Sequence, residues 1–229
     1  TAQIAERAGY VVAVEIDRRI AAVARATLEA HPNARLVECD ALSEDREAIH
    51  PQVLAAVRAD LERHPGPLKV LSNLHYGSAA TILIALLEAD LPIERMILTV
   101  QYEVAQRVCA KPGDRENSLL SLLVQCRARP KILRRLPPGV FWPPPKVGSA
   151  ALEIRPLETP LVPAGEYAAF KRTLQTLFRH PRKTLLNSAR GAGLDCDETL
   201  FTRSGIAPEA RPQTIDIAQA VTLTRSLAR

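Results

Sequence analysis

The chain has 229 residues, 47% of them apolar and 24% charged, which is enough to bury a full core in one large domain or two small ones. The formal charge is +5, no apolar run approaches the roughly 18–20 residues that cross a bilayer, and no basic-then-apolar signal opens the chain, so a soluble cytoplasmic protein with no membrane partner is expected. Cys39, Cys109, Cys126 and Cys196 form neither a C-x-x-C pair nor a cluster at metal-ligand spacing, so they read as reduced thiols, mostly core filler, and no metal is expected.

In chain order, Tyr10–Ile16 is a β-branched run that predicts a strand, and Arg18–Ala30 places Ile20, Val23, Ala24, Thr27 and Leu28 on one helical face. The alternation recurs, with strands predicted at Ala34–Glu38, Leu68–Leu71 and Arg95–Gln101 and helices at Gln52–Arg63 and Ser78–Glu88. Strands alternating with amphipathic helices imply an α/β domain whose parallel sheet is covered on both faces. A helix at Asn117–Cys126 is followed by two strands, Lys131–Leu136 and Ser149–Arg155, which flank the proline-rich loop Pro137–Pro145 and can pair antiparallel at a sheet edge. Beyond Pro156 the spacing is helical, at Glu166–Leu177, Pro181–Ala189, Glu198–Ser204 and Ile215–Leu227, so a boundary is expected near residue 158 between a domain of 1–157 and an all-α one of 158–229.

Charge is unevenly distributed. Residues 107–190 hold 16 Lys and Arg against 5 Asp and Glu, while residues 1–106 hold 10 against 15. Concentrated positive charge suits a polyanion, because neutralised phosphates release condensed counterions. Two clusters carry it: Arg127-Ala-Arg-Pro-Lys131 running on to Arg134 and Arg135, and Arg179-His-Pro-Arg-Lys183 with Arg182 within it. A solvated basic face is the plain alternative for either cluster taken singly.

In open α/β sheets, ligands lie outside the carboxyl ends of the strands. Three loops there carry candidate chemistry. Glu15 and Asp17 close the first strand; Asp17 suits the N-cap of the next helix, leaving Glu15 for ribose hydroxyls, beside Ile16. Asp40, followed by Ala41, closes the second, where a carboxylate can accept from an adenine amino group, although Asp in a turn is ordinary. Ser72-Asn-Leu-His-Tyr76 follows the third: an Asn oxygen and a backbone carbonyl can hold an exocyclic amine, and a Tyr ring can stack on its base, although a plain turn has the same composition.

The runs Val12–Asp17, Asp40–Leu42, Asn73-Leu-His-Tyr76 and Val140-Phe-Trp-Pro-Pro-Pro-Lys-Val147 with Ser149 resemble the small-subunit rRNA adenine dimethyltransferase family of the KsgA type, as do Leu86–Met96, Val100–Arg107 and Arg182–Leu185. The resemblance covers essentially the whole chain. It implies a Rossmann-like class I methyltransferase sheet, a small C-terminal helical domain, and S-adenosyl-L-methionine as cofactor. Glu15 with Ile16 would then hold the cofactor's ribose, Asp40 with Ala41 its adenine, and Asn73 with the Leu74 carbonyl the target amine, Asn73 touching the cofactor as well. Tyr76 would stack on the target base, with Phe141 a candidate for its other face. Arg134, Arg135, Lys146, Arg179, Arg182 and Lys183 would grip rRNA or a pre-ribosomal small subunit, and the protein is expected to be a monomer.

Two departures stand out. His75 replaces the proline of the family's N-L-P-Y motif, which removes a fixed φ. The family's first strand and glycine-rich loop would precede Thr1, and with one methionine, Met96, the chain is read as a piece of a longer protein whose sheet lacks a central strand. Three rival readings follow: a non-catalytic RNA-binding assembly or transcription factor, a large-subunit rRNA methyltransferase conferring resistance, and a protein glutamine methyltransferase.

Overall fold

The computed structural model describes residues 1–227. In chain order it runs α1 (Ala2–Ala5), β1 (Val11–Glu15), α2 (Arg18–Leu28), β2 (Ala34–Glu38), α3 (Pro51–Arg63), β3 (Leu68–Asn73), α4 (Ala79–Glu88), β4 (Ile93–Gln101), α5 (Tyr102–Cys109), α6 (Leu119–Gln125), β5 (Ala128–Leu136), β6 (Ser149–Pro156), α7 (Ala164–Phe178), α8 (Leu185–Gly191), α9 (Glu198–Arg203) and α10 (Ile217–Leu227). The helix starts follow from side chains that satisfy free N–H groups. Asp17 Oδ1 accepts from the backbone of Arg19 and Ile20, Asp197 Oδ1 from Leu200, and Thr184 Oγ1 from Asn187.

Among the described residues two compact units result, one of residues 1–69 and 77–94, the other of 70–76 and 95–227. In the first, β1 and β2 pair in parallel from Val11↔Ala34 to Glu15↔Glu38, and α2 and α3 pack on them. Parallel pairing brings both carboxyl ends to one edge, so the turns after Glu15 and Glu38 are neighbours.

In the second unit the sheet order is β3-β4-β6-β5, with β6 antiparallel to both β4 and β5. Met96, Leu98 and Val100 of β4 and Ala150, Leu152 and Ile154 of β6 are fully buried, and α5 and α6 pack against this part of the unit. Alternation of two per turn of pleat places these residues on one face. The chain beyond Pro156 is helical, with Phe170, Leu174, Leu177, Leu185, Phe201 and Leu223 forming its core.

The six strands form two sheets, β1 pairing with β2 and β3 with β4, in keeping with the expected sheet that lacks a central strand. Other expectations are corrected. Tyr102–Cys109 is a helix the sequence reading left without an element, although Val104, Ala105, Val108 and Cys109 recur there at helical spacing. β5 starts at Ala128, three residues before the predicted start; Pro130 is tolerated because β5 is an edge strand and needs no donor on its outer side. Residues 181–184 form a loop before α8, capped by Thr184, so Arg182 and Lys183 are not helical. All four cysteines are free, but only Cys126 is buried, so core filling describes one of them. Burial raises the thiol pKa of Cys39, with Asp40 adding to it, and burial also raises those of Cys109 and Cys196, which favours the protonated thiol. Among the described residues no helix is long and apolar enough to cross a membrane.

Candidate active site and RNA-facing surface

In the first unit, Glu15 ends β1 opposite Glu38 of β2, and its Oε1 accepts the Asp17 N–H at 2.9 Å. Asp17 caps α2, as its place just before that helix predicts. Ile16, between them, is 63% exposed. Asp40 lies two residues beyond β2. Its Oδ1 accepts the Leu42 N–H at 3.0 Å, and Oδ2 pairs with Arg46 Nη1 at 3.3 Å. Ala41 is tied through its carbonyl to the His50 N–H at 2.9 Å, and Leu42 bridges Ile49, so the turn carrying Asp40 is braced on both sides. Two carboxylates at the carboxyl ends of adjacent parallel strands form an acceptor set that fits the hydroxyls and exocyclic amine of a nucleoside.

In the second unit, Asn73 is the last residue of β3 and is exposed, while Leu74 beside it is buried and donates its N–H to the Thr99 carbonyl of β4 at 3.1 Å. The pleat alternates inward and outward, so anchoring Leu74 on the sheet turns its neighbour toward solvent. The Tyr76 hydroxyl lies 2.7 Å from Ser149 Oγ, and Ser149, fully buried, is the first residue of β6. The loop 73–76 is thus tied to β4 at one end and to β6 at the other. Its exposed His75 takes the place of the proline. Sequence reasoning gave Ser149 no role of its own; a serine closing the proline-rich motif was the available signal, and its partner 73 residues away was invisible.

Phe141 is half-buried and closes a short 3₁₀ turn, Pro138–Val140, its N–H bonded to the Pro138 carbonyl. The loop's ends converge, because Leu136 pairs with Ser149 across β5 and β6, and the Gly148 carbonyl accepts from Tyr102 N–H at 2.9 Å.

Arg134, Arg135, Lys146, Arg179, Arg182 and Lys183 are all exposed. A register shift between Ile132 and Arg134 inserts Leu133 as a bulge, re-aiming the two arginines that follow, and the Arg135 guanidinium lies 4.5 Å from the centre of the Tyr102 ring. Arg127, counted with the first basic cluster, instead lies 3.8 Å over the Tyr167 ring and serves packing. Glu153 sits among Arg155, Arg95 and Lys131, and the Arg155 hydrogen bond holds its carboxyl below the ordinary range.

A family model described as ribosomal RNA adenine dimethylase matches residues 1–229. Similar curated proteins include ribosomal RNA small subunit methyltransferase A of Alkaliphilus oremlandii, 34% identical over 100% of this chain and 78% of its own length. The protein of that name from Anaeromyxobacter dehalogenans is 36% identical over 99% of this chain and 79% of its own length. Among solved structures, a dimethyladenosine transferase from Plasmodium falciparum shares the fold with a TM-score of 0.72 at 20% identity, covering 97% of this chain and 83% of that one. The 23S rRNA methyltransferase ErmE does so with a TM-score of 0.65 at 23% identity, covering 99% and 85%. Taken with the acidic strand ends and the braced Asn73–Tyr76 loop, the full-length match establishes that this chain belongs to the ribosomal RNA adenine dimethylase family.

Proposed function

We propose that the protein dimethylates the N6 amine of an adenosine in small-subunit ribosomal RNA, using S-adenosyl-L-methionine, during ribosome maturation in the cytoplasm, and that it acts as a monomer. Glu15 and Asp40 of the first unit take the cofactor's ribose and adenine, with the backbone of Ile16 and Ala41 alongside. S-adenosylmethionine, when bound, supplies the methyl group. Asn73, through its side-chain oxygen, and the Leu74 carbonyl accept the two N–H bonds of the target amine, which favours a tetrahedral nitrogen with its lone pair freed from conjugation. Tyr76 and Phe141 cover the extruded base, offsetting part of its unstacking cost. The basic side chains at 134, 135, 146, 179, 182 and 183 hold phosphates without reading sequence, and the helical segment 158–229 serves as an RNA-binding unit.

The observation that carries this reading is the fixation of the 73–76 loop, since positioning is the main way a protein accelerates such a transfer. The test is incubation of the purified chain with S-adenosylmethionine and small ribosomal subunits lacking adenine methylation, followed by mass spectrometry of nucleosides. Dimethyladenosine is expected, and Asn73→Ala is expected to lower turnover by roughly 100-fold, comparable to removing one catalytic hydrogen-bonding group elsewhere, with RNA affinity unchanged. Methylation of large subunits alone would overturn the small-subunit assignment.

A further inference from the structure

Trp142 is 95% exposed, the most exposed large apolar side chain among those described, and it is the chain's only tryptophan. Val140 and Val147 of the same loop are 60% and 46% exposed. A large aromatic ring left in water at the tip of a loop contributes nothing to the fold, so its free surface is available to a partner. Three features say what kind. From Arg127 to Leu152 the chain carries six Lys or Arg and no Asp or Glu; Arg134 and Arg135 precede the loop and Lys146 lies within it, all three exposed. An exposed aromatic ring set among cations is the arrangement that binds single-stranded nucleic acid, with phosphates on the cations and a base on the ring. The loop is also fastened where the amine-holding loop is fastened: Leu136 pairs with Ser149, whose hydroxyl meets Tyr76. Phe141, adjacent in sequence, is half-buried, so the two aromatic residues are not equivalent.

We propose that Trp142 is an RNA-contacting residue that stacks on an unpaired base flanking the target adenosine, and that the loop 137–148 is a platform for single-stranded RNA. This rests on the rRNA-modifying reading above but assigns a residue and a substrate feature that reading leaves open: an unpaired neighbour beside the target.

The lone indole reports directly, because stacking on a base quenches its emission. The full chain is titrated with octa-adenylate and, separately, with a blunt RNA duplex of equal charge. Quenching is expected to saturate with octa-adenylate and to be absent with the duplex, although both bind. Trp142→Ala should weaken octa-adenylate binding about tenfold with no change in duplex affinity or in the salt slope, and Trp142→Phe should retain most of the affinity. Stacking also predicts that Trp142→Ala raises KM for unmethylated small subunits more than it lowers kcat. Saturating octa-adenylate without quenching, or equal loss for single strand and duplex, would overturn the proposal. Wild-type protein that quenches with octa-adenylate yet methylates no ribosomal subunit would retain the platform and defeat the enzymatic reading. Methylation by the wild type without quenching would do the reverse.

Discussion

The Tyr76 hydroxyl and the Ser149 hydroxyl answer each other's need for a partner, one half-buried and one wholly so. Removing either leaves the other desolvated and unpaired, so Tyr76→Phe and Ser149→Ala should each cost about 1 kcal/mol of stability. Because the two share one interaction, the double variant should lose less than the sum of the singles, and a double-mutant cycle from denaturant unfolding measures the coupling. Additive losses would show that the bond contributes nothing to the native state. Activity gives a second readout: Tyr76→Phe keeps the ring proposed above to cover the base and should retain more turnover than Tyr76→Ala.

Elements decide how the charge is displayed. Arg182 and Lys183 lie in the 181–184 loop between α7 and α8, free of any helix, and both are exposed. Reversing both to Glu should weaken RNA binding and flatten its dependence on salt by roughly one to two in log–log slope, read by filter binding across a salt series. Unchanged affinity at every salt concentration would remove this loop from the RNA surface. Farther along, Arg225 of α10 makes two hydrogen bonds to Glu166 of α7, at 2.7 and 3.0 Å, and these bonds hold the Glu166 carboxyl below its ordinary value of 4.5. A depressed folded-state pKa means the contribution is complete above the ordinary value and is lost as pH falls through the folded one. Thermal melts of wild type and Glu166→Gln should therefore differ by a constant amount above about pH 5.5 and converge as the pH drops below about 4. The exposed setting keeps the difference small.

At the scale of the whole molecule, the two units have unequal means of protecting their backbones. The first has a two-stranded sheet, and β1 is half-exposed along its whole length. The second has four strands, with β4 and β6 carrying fully buried residues. Two strands alone are marginal, whereas strands flanked on both sides open only with the unit that contains them. Hydrogen exchange should accordingly be slowest at amides of β4 and β6 and faster by orders of magnitude at β1 and β2. Equal protection in both would contradict this ranking.

Local patterns were enough for much of this. The β-branched runs, the Asp17 cap, the carboxylates ending β1 and β2, and the pairing of the last two strands were legible because period, capping and turn chemistry act within a few residues. So was the asymmetry of charge, which is a property of the chain before it folds. What the chain order concealed was what depends on a distant partner: the departure of Arg127 from the basic surface to the Tyr167 ring, and the clasp between Tyr76 and Ser149. Those outcomes are set by which groups meet across the fold. Residues of one type can serve a core, a surface or a site, and only tertiary packing, by burying some and leaving Trp142 in water, decides which.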